Sequence, residues 1–186
     1  MIIAGSLFTD ARGAGKDAFS VIHSRKSVRS FTGQAVSKSD LEKILKAGMA
    51  APTAVNKQPW SFLAVSDRKM LDKLAEGLPY AKMLRKAGAA IIVCAIPEKA
   101  IDGSAEFAVI DCALASENIL LAVEAMGLGA VWTAAYPDKE KMAFLRKALN
   151  IPGNIIPLNV IPVGYPTGED KPKDKFKKEN IHWEKW

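Results

Sequence analysis

Residues 105–126 constrain this chain more than any other segment. They read as one long helix closed by Gly127, and its only polar side chains are Glu106, Asp111, Ser116, Glu117, Asn118 and Glu124. A helix apolar on nearly every side must be covered around most of its circumference. It therefore either threads the middle of the fold or is shared with a second copy of the chain, and the sequence alone leaves both open. With 186 residues, 49% of them hydrophobic, the chain has enough material to bury a core of that size in a single domain.

The flanking segments supply the rest of the fold. Asp17 caps a short helix through His23 that is expected to bury Phe19 and Ile22, three apart, and Ser37-x-x-Asp40 has capping-box form ahead of Leu41, Ile44, Leu45 and Met49. Pro52 stops that second helix, so residues 51–59 read as a loop and residues 60–65 as a strand. Asp67 opens a helix with Met70, Leu71 and Leu74 on one side, followed by a short helix over residues 81–86 that Gly88 ends. Residues 89–96, 130–133 and 156–163 are apolar runs suited to buried strands, although Pro157 and Pro162 move the last toward an edge or toward irregular ends. Residues 138–149 form an amphipathic helix. Strands and helices alternate too irregularly for a doubly wound fold, and the expectation is an α+β sheet with helices on both faces. Residues 1–16 read as a flexible leader and residues 166–186 as an extended tail.

Several functional classes drop out. The longest apolar runs, residues 87–96 and 155–163, are far shorter than the roughly 20 residues that cross a bilayer. Met1-Ile2-Ile3-Ala4 has no basic residue before it, so no signal-peptide pattern is present and a cytoplasmic setting is expected. Cys94 and Cys112 lie in apolar surroundings without a C-x-x-C or histidine companion; they read as buried small hydrophobes, with no disulfide framework and no metal site. Gly127-x-Gly129 follows a helix and precedes a strand, the reverse of a dinucleotide fingerprint, and Gly13-Ala14-Gly15-Lys16 lacks the Walker spacing. His23 and His182 sit at opposite ends of the chain, and the carboxylates fall mostly at helix starts or solvent-facing positions. An enzyme built on this sequence takes its hard chemistry from a cofactor.

The net charge of +6 is concentrated, with Arg25, Lys26 and Arg29 inside five residues. That cluster is too short to coat a duplex and fits a compact anion site better. Arg25-Lys26-Ser27-x-Arg29 offers two guanidiniums, an ammonium and a hydroxyl just past a helix end, a set suited to a phosphate and to polar ring edges. Taken alone, an exposed basic turn is the plainer reading. Lys171, Lys173, Lys175 and Lys177 are spaced by two, which puts their ammonium groups on one side of an extended segment. With Asp170, Asp174 and Glu179 interleaved, that segment alone reads as a solvated tail.

Taken in order, these signals resemble the nitroreductase family of flavoenzymes over nearly the whole chain. Arg25-Lys26-Ser27-Val28-Arg29-Ser30-Phe31 is close to the family's Arg-Arg-Ser-x-Arg-x-Phe opening. Pro52-Thr53-Ala54-Val55-Asn56-Lys57-Gln58-Pro59-Trp60 resembles its Pro-Ser-x-x-Asn-x-Gln-Pro-Trp loop, with Thr53 and Ala54 departing from the usual serines. Gly127-Leu128-Gly129-Ala130-Val131-Trp132-Thr133, Gly164-Tyr165-Pro166 and Lys171-Pro172-Lys173-Asp174-Lys175 follow, the last with lysines at both basic positions.

The resemblance implies an intertwined homodimer around a central mixed, mainly antiparallel sheet, with an FMN at each subunit interface. It places Arg25, Ser27, Lys173 and Lys175 on the phosphate and ribityl chain, with Lys26 along the same edge. Arg29 falls near the pyrimidine end of the ring, where reduction develops negative charge, and this is its implied catalytic role. Pro52, Thr53, Ala54 and Asn56 come from the partner subunit, and Trp132, Thr133 and Ala134 present backbone N–H groups to the ring edge. Trp60 is expected to pack in the core. The implied activity is ping-pong transfer of hydride from NADH or NADPH to an electron-poor acceptor such as a nitroaromatic or quinone. A small lid is expected within residues 78–105. The reading from another class is a non-catalytic module that binds an anionic ligand or nucleic acid through the basic cluster and tail; the lack of aromatics interleaved with the cluster, Phe31 apart, argues against nucleic acid.

Overall fold

In the computed structural model, which describes residues 17–186, the apolar segment forms a 21-residue helix, α4 (Ala105–Ala125). The hydroxyl of Ser104 caps its start by accepting the N–H of Phe107 at 3.2 Å. At its other end Gly127 takes a left-handed φ of +72°. This turns its own N–H and that of Leu128 back onto the carbonyls of Glu124 and Val123 at 3.1 and 3.0 Å. Gly127 is thus a helix terminator, as its place in the sequence requires. The flexible leader expected over residues 1–16 lies outside the described residues.

The remaining elements are α1 (Ala18–Ser24), α2 (Lys38–Met49), β1 (Trp60–Val65), α3 (Arg68–Gly77), β2 (Ala89–Ala95), β3 (Gly129–Ala130), β4 (Thr133–Ala134), α5 (Lys139–Leu149) and β5 (Ile156–Gly164). The strands make a five-stranded sheet in the order β1-β2-β5-β3, with β4 also pairing β5, and every pairing between these strands is antiparallel. β2 is buried along its whole length and feeds two cores by simple alternation. Ile91 and Val93 join the cluster formed with α2 and α4, whereas Ala90, Ile92 and Cys94 join the one formed with α3 and α5. Helices cover both faces, as expected. A buried chain of hydrogen bonds fastens β5 to α4: Asn159 Nδ2 donates to Ser116 Oγ at 2.9 Å, and Ser116 Oγ donates to Cys112 O at 2.8 Å.

Of the two alternatives that Pro157 and Pro162 left open, irregular ends are found and the edge position is not. β5 lies between β2 on one side and β3 and β4 on the other, because its near-continuous burial outweighs two missing N–H groups. The sheet accommodates the prolines locally. The β2–β5 register shifts between Val93 and Cys94, beside Pro157. The strand expected over residues 130–133 is split into β3 and β4, which share one register on β5, and the break between them falls opposite Pro162. α1 does not bury Phe19 and Ile22, which are 74% and 50% exposed; the side chain it turns into the core is Val21, because the packed face of so short a helix falls between them. The short helix expected over residues 81–86 is present as a 3-10 turn over residues 82–85.

Candidate active site

α1 ends at Ser24, and the N–H of Arg25 closes its last turn on Val21 O. The chain beyond it is pinned to the sheet. Ser27 bridges Ala130, and Val28 donates its N–H to Ala130 O at 2.9 Å. Gly129 makes this approach possible, since a Cβ there would lie 2.7 Å from Val28 Cγ1 and 2.8 Å from Val28 Cβ. Further along, Phe31 bridges Pro166, Thr32 donates to Tyr165 O at 3.0 Å, and Thr167 donates to Ser30 O at 3.0 Å. The tail then crosses back: one carboxylate oxygen of Asp170 accepts the N–H groups of Arg29 at 2.9 Å and Ser30 at 3.2 Å. The acidic residue that seemed to belong to a solvated tail is the knot tying that tail over the basic cluster.

Between cluster and tail lies a cavity of about 620 Å³, with Arg25, Lys26, Ser27 and Arg29 on one wall and Lys171, Lys173 and Lys175 on the other. A second cavity of about 540 Å³ shares Arg29 and is bounded by Trp132, Thr133 and Ala134 and by Tyr80, Lys82 and Met83. Residues far apart in sequence thus converge on Arg29. Of the lid expected within residues 78–105, only the stretch around residues 79–83 borders this space, because residues 89–95 are β2, buried in the sheet. Tyr80 is braced by Lys141, whose ammonium lies 5.4 Å from the ring centroid.

The cations of the cluster differ in what they already hold. Lys26 Nζ lies 3.1 Å from a carboxylate oxygen of Glu124, which is only 6% exposed and also accepts the Ser24 hydroxyl at 2.8 Å. Lys26 lines the same cavity wall as Arg25 and Ser27, and its ammonium is directed at Glu124. Arg25 makes a looser contact, its Nε 3.5 Å from Glu117 Oε1 at a half-exposed glutamate. Arg29 directs one N–H at Ser27 O, 3.4 Å away.

Pro52, Thr53, Ala54 and Asn56 line neither cavity. They lie on the loop after α2, and the last turn of α2 together with this loop is stitched along α4 at three points. Asn118 Nδ2 donates to Ala47 O at 3.1 Å, Ala54 donates its N–H to Asp111 Oδ1 at 3.2 Å, and Cys112 Sγ approaches Pro59 O at 3.6 Å. Within the loop, Thr53 Oγ1 accepts the Gln58 N–H at 3.1 Å, and Gln58 Nε2 donates to Asn56 Oδ1 at 3.0 Å. Val55, Asn56 and Gln58 have φ values of +43°, +58° and +50°, left-handed conformations that non-glycine residues adopt only under constraint. Trp60 is buried in the α4-side core, so its role there is packing, as expected. Burial pushes both thiols, Cys94 and Cys112, up to about 12, which leaves neither as a nucleophile.

The sequence reading missed Asp111, Glu124 and Asp170. For the first two a signal existed, since acids inside an otherwise apolar helix are retained only where something binds them. Asp170 had none, because only the fold brings the tail to residues 29 and 30.

An antiparallel sheet with helices on both faces, and a cation-lined cavity beside a strand-edged one with Arg29 on the wall of each, define the class: an α+β protein with a basic ligand cavity. The chain belongs to the nitroreductase family, whose model matches residues 22–81 and 72–165. It is 44% identical over 174 residues to an Archaeoglobus fulgidus protein with the provisional name NADH dehydrogenase/NAD(P)H nitroreductase, covering 92% of this chain and 99% of that one. A crystal structure of a protein from Bacteroides thetaiotaomicron with the same provisional name superposes with a TM-score of 0.86 at 46% identity, covering 93% of this chain and 100% of that one. A nitroreductase-like protein of Desulfovibrio desulfuricans, solved in complex with FMN, superposes with a TM-score of 0.78 at 27% identity over 93% of this chain and 99% of that one.

Proposed function

We propose that this protein is an FMN-dependent oxidoreductase that takes hydride from NADH or NADPH and passes it to an electron-poor acceptor, a nitroaromatic or a quinone, in a ping-pong cycle. The observation that carries this reading is the pair of cavities with Arg29 on the wall of each, one rich in cations and the other edged by strand backbone. The residues fit FMN. The Arg25 guanidinium, the Ser27 hydroxyl and the ammonium groups of Lys173 and Lys175 are suited to its phosphate and ribityl chain, and the backbone at Trp132, Thr133 and Ala134 to the edge of its ring. Bound there, FMN supplies a reversible hydride acceptor that no side chain of this protein provides.

The protein's own part is to bind, orient and exclude. Arg29 presents a positive charge to both cavities, and beside the pyrimidine end of a bound flavin it would stabilise the negative charge that reduction develops there. Tyr80 and Met83 cover the second cavity and limit what stacks in it. Ping-pong order is the part of the reading in which donor and acceptor use one flavin face in turn.

The reading includes a homodimer. Phe107, Ile110 and Leu114 are exposed along the outer face of α4, and Val55 at the tip of the loop is 71% exposed. Pro52, Thr53, Ala54 and Asn56 reach a flavin only if they belong to a second copy. Among the described residues no helix is long and apolar enough to cross a membrane.

An absorption spectrum of the purified protein tests the reading, taken without oxygen before and after addition of NADH or NADPH. A yellow protein that bleaches on addition, and regains colour with a quinone, is the expected result. A colourless protein that refuses added FMN overturns it and favours the anion-binding module.

A further inference from the structure

Asp111 is buried in the middle of α4 at 3% exposure, and its two oxygens are treated differently. Oδ1 accepts the N–H of Ala54 at 3.2 Å. Oδ2 is buried with no hydrogen-bond partner among the described residues. A carboxylate is costly to bury half satisfied, so this one is explained by what it holds. It holds the central amide of the loop in which Val55, Asn56 and Gln58 are all left-handed. Of the other two stitches, that from Asn118 secures the last turn of α2 and that from Cys112 the end of the loop at Pro59, so Asp111 is the one carboxylate of the three and the one group that holds the loop's middle.

We propose that Asp111 is a positioning residue for the flavin-contacting loop. It fixes the amide of residue 54 and with it the turn that carries Thr53 and Asn56, and its second oxygen is a socket for a hydroxyl on residue 54 that alanine leaves unfilled. A side-chain oxygen on Cβ lies within about 3 Å of its own amide nitrogen, so one residue can direct N–H and O–H at the two oxygens of one carboxylate. The role in flavin binding rests on the proposed function, whereas the socket does not.

The test measures FMN binding by quenching of flavin fluorescence, and melting of the flavin-free protein, in Asp111→Ala, Asp111→Asn, Ala54→Ser and the double variant Ala54→Ser/Asp111→Ala. Asp111→Ala is expected to weaken FMN binding about tenfold or more and to alter the visible circular dichroism of bound flavin. Asp111→Asn keeps an oxygen for the Ala54 N–H and is expected to stay within about threefold of the parent, a rescue that bulk packing would not give. Ala54→Ser is expected to raise the melting temperature and tighten FMN binding, with both gains lost in the double variant. A folded Asp111→Ala protein with parental FMN affinity overturns the positioning role. Should that variant fail to fold, an Asp111→Asn protein whose FMN affinity falls tenfold or more overturns it instead. A gain from Ala54→Ser that persists in the double variant, or no gain at all, overturns the socket. If the parent protein takes no FMN the proposed function fails, and the melting temperatures still decide the socket.

Discussion

Arg25 and Lys26 are adjacent cations whose surroundings assign them different work. The Arg25 guanidinium meets a half-exposed Glu117 at 3.5 Å, a contact an arriving phosphate can replace. Lys26 is bound to Glu124, 3.1 Å away and almost fully buried. Arg25→Ala is therefore expected to raise the FMN dissociation constant at least about tenfold, taking about 1.5 kcal/mol for a charge-assisted bond, while leaving the melting temperature nearly unchanged. Lys26→Met takes the ammonium away from a buried carboxylate and is expected to cost about 3 kcal/mol of stability. Denaturant titration and flavin titration of the same two variants separate the roles; equal effects of both substitutions on flavin affinity would put Lys26 back on the phosphate. Neighbours in sequence gave no hint of this division, because Glu117 and Glu124 reach the pair from the far end of α4.

Among the elements, the site depends on how closely the cluster's backbone approaches the sheet. Gly129 sits in β3 under Val28, and the nearest atoms to a Cβ there include Val28 Cβ itself, which no rotamer change can move. Gly129→Ala is expected to destabilise the protein by about 1–3 kcal/mol. It should also weaken flavin binding, because the strain pushes on the segment bearing Ser27 and Arg29. Parental stability in chemical denaturation would show that the segment shifts freely and that β3 does not set its position. The sequence displayed this glycine clearly and suggested no contact for it. Its purpose is steric, and the partner, Val28, is distant in the chain.

For the molecule as a whole, α4 is the organising fact. Its inner face closes the core and stitches the loop of residues 51–59, and its outer face leaves Phe107, Ile110 and Leu114 in solvent. Ile110→Glu is expected to convert dimers into monomers in sedimentation velocity at micromolar concentration and to lose flavin with them, since a carboxylate in an apolar interface is left unpaired. A parent protein that sediments as a monomer while holding FMN tightly would separate the loop of residues 52–56 from the flavin site.

Local structure was legible in the letters alone: the caps at Asp17, Ser37 and Asp67, the stop at Gly127, and the strands whose apolar runs have no other outlet. These features depend on residues a few positions apart, where backbone geometry and periodicity decide. The residues of the proposed site were in view but not joined: alone, the basic cluster read as an exposed turn and the lysine tail as solvated, and only their order along the chain, through its resemblance to a family, linked them. Packing of distant segments was needed to establish that β5 lies inside the sheet despite its prolines, that Lys26 is bound to Glu124, that Asp170 ties the tail to Arg29 and Ser30, and that Asp111 holds the loop. Each of these joins groups tens of residues apart or more, and such pairings are set by how the helices and strands come together, which no local pattern encodes.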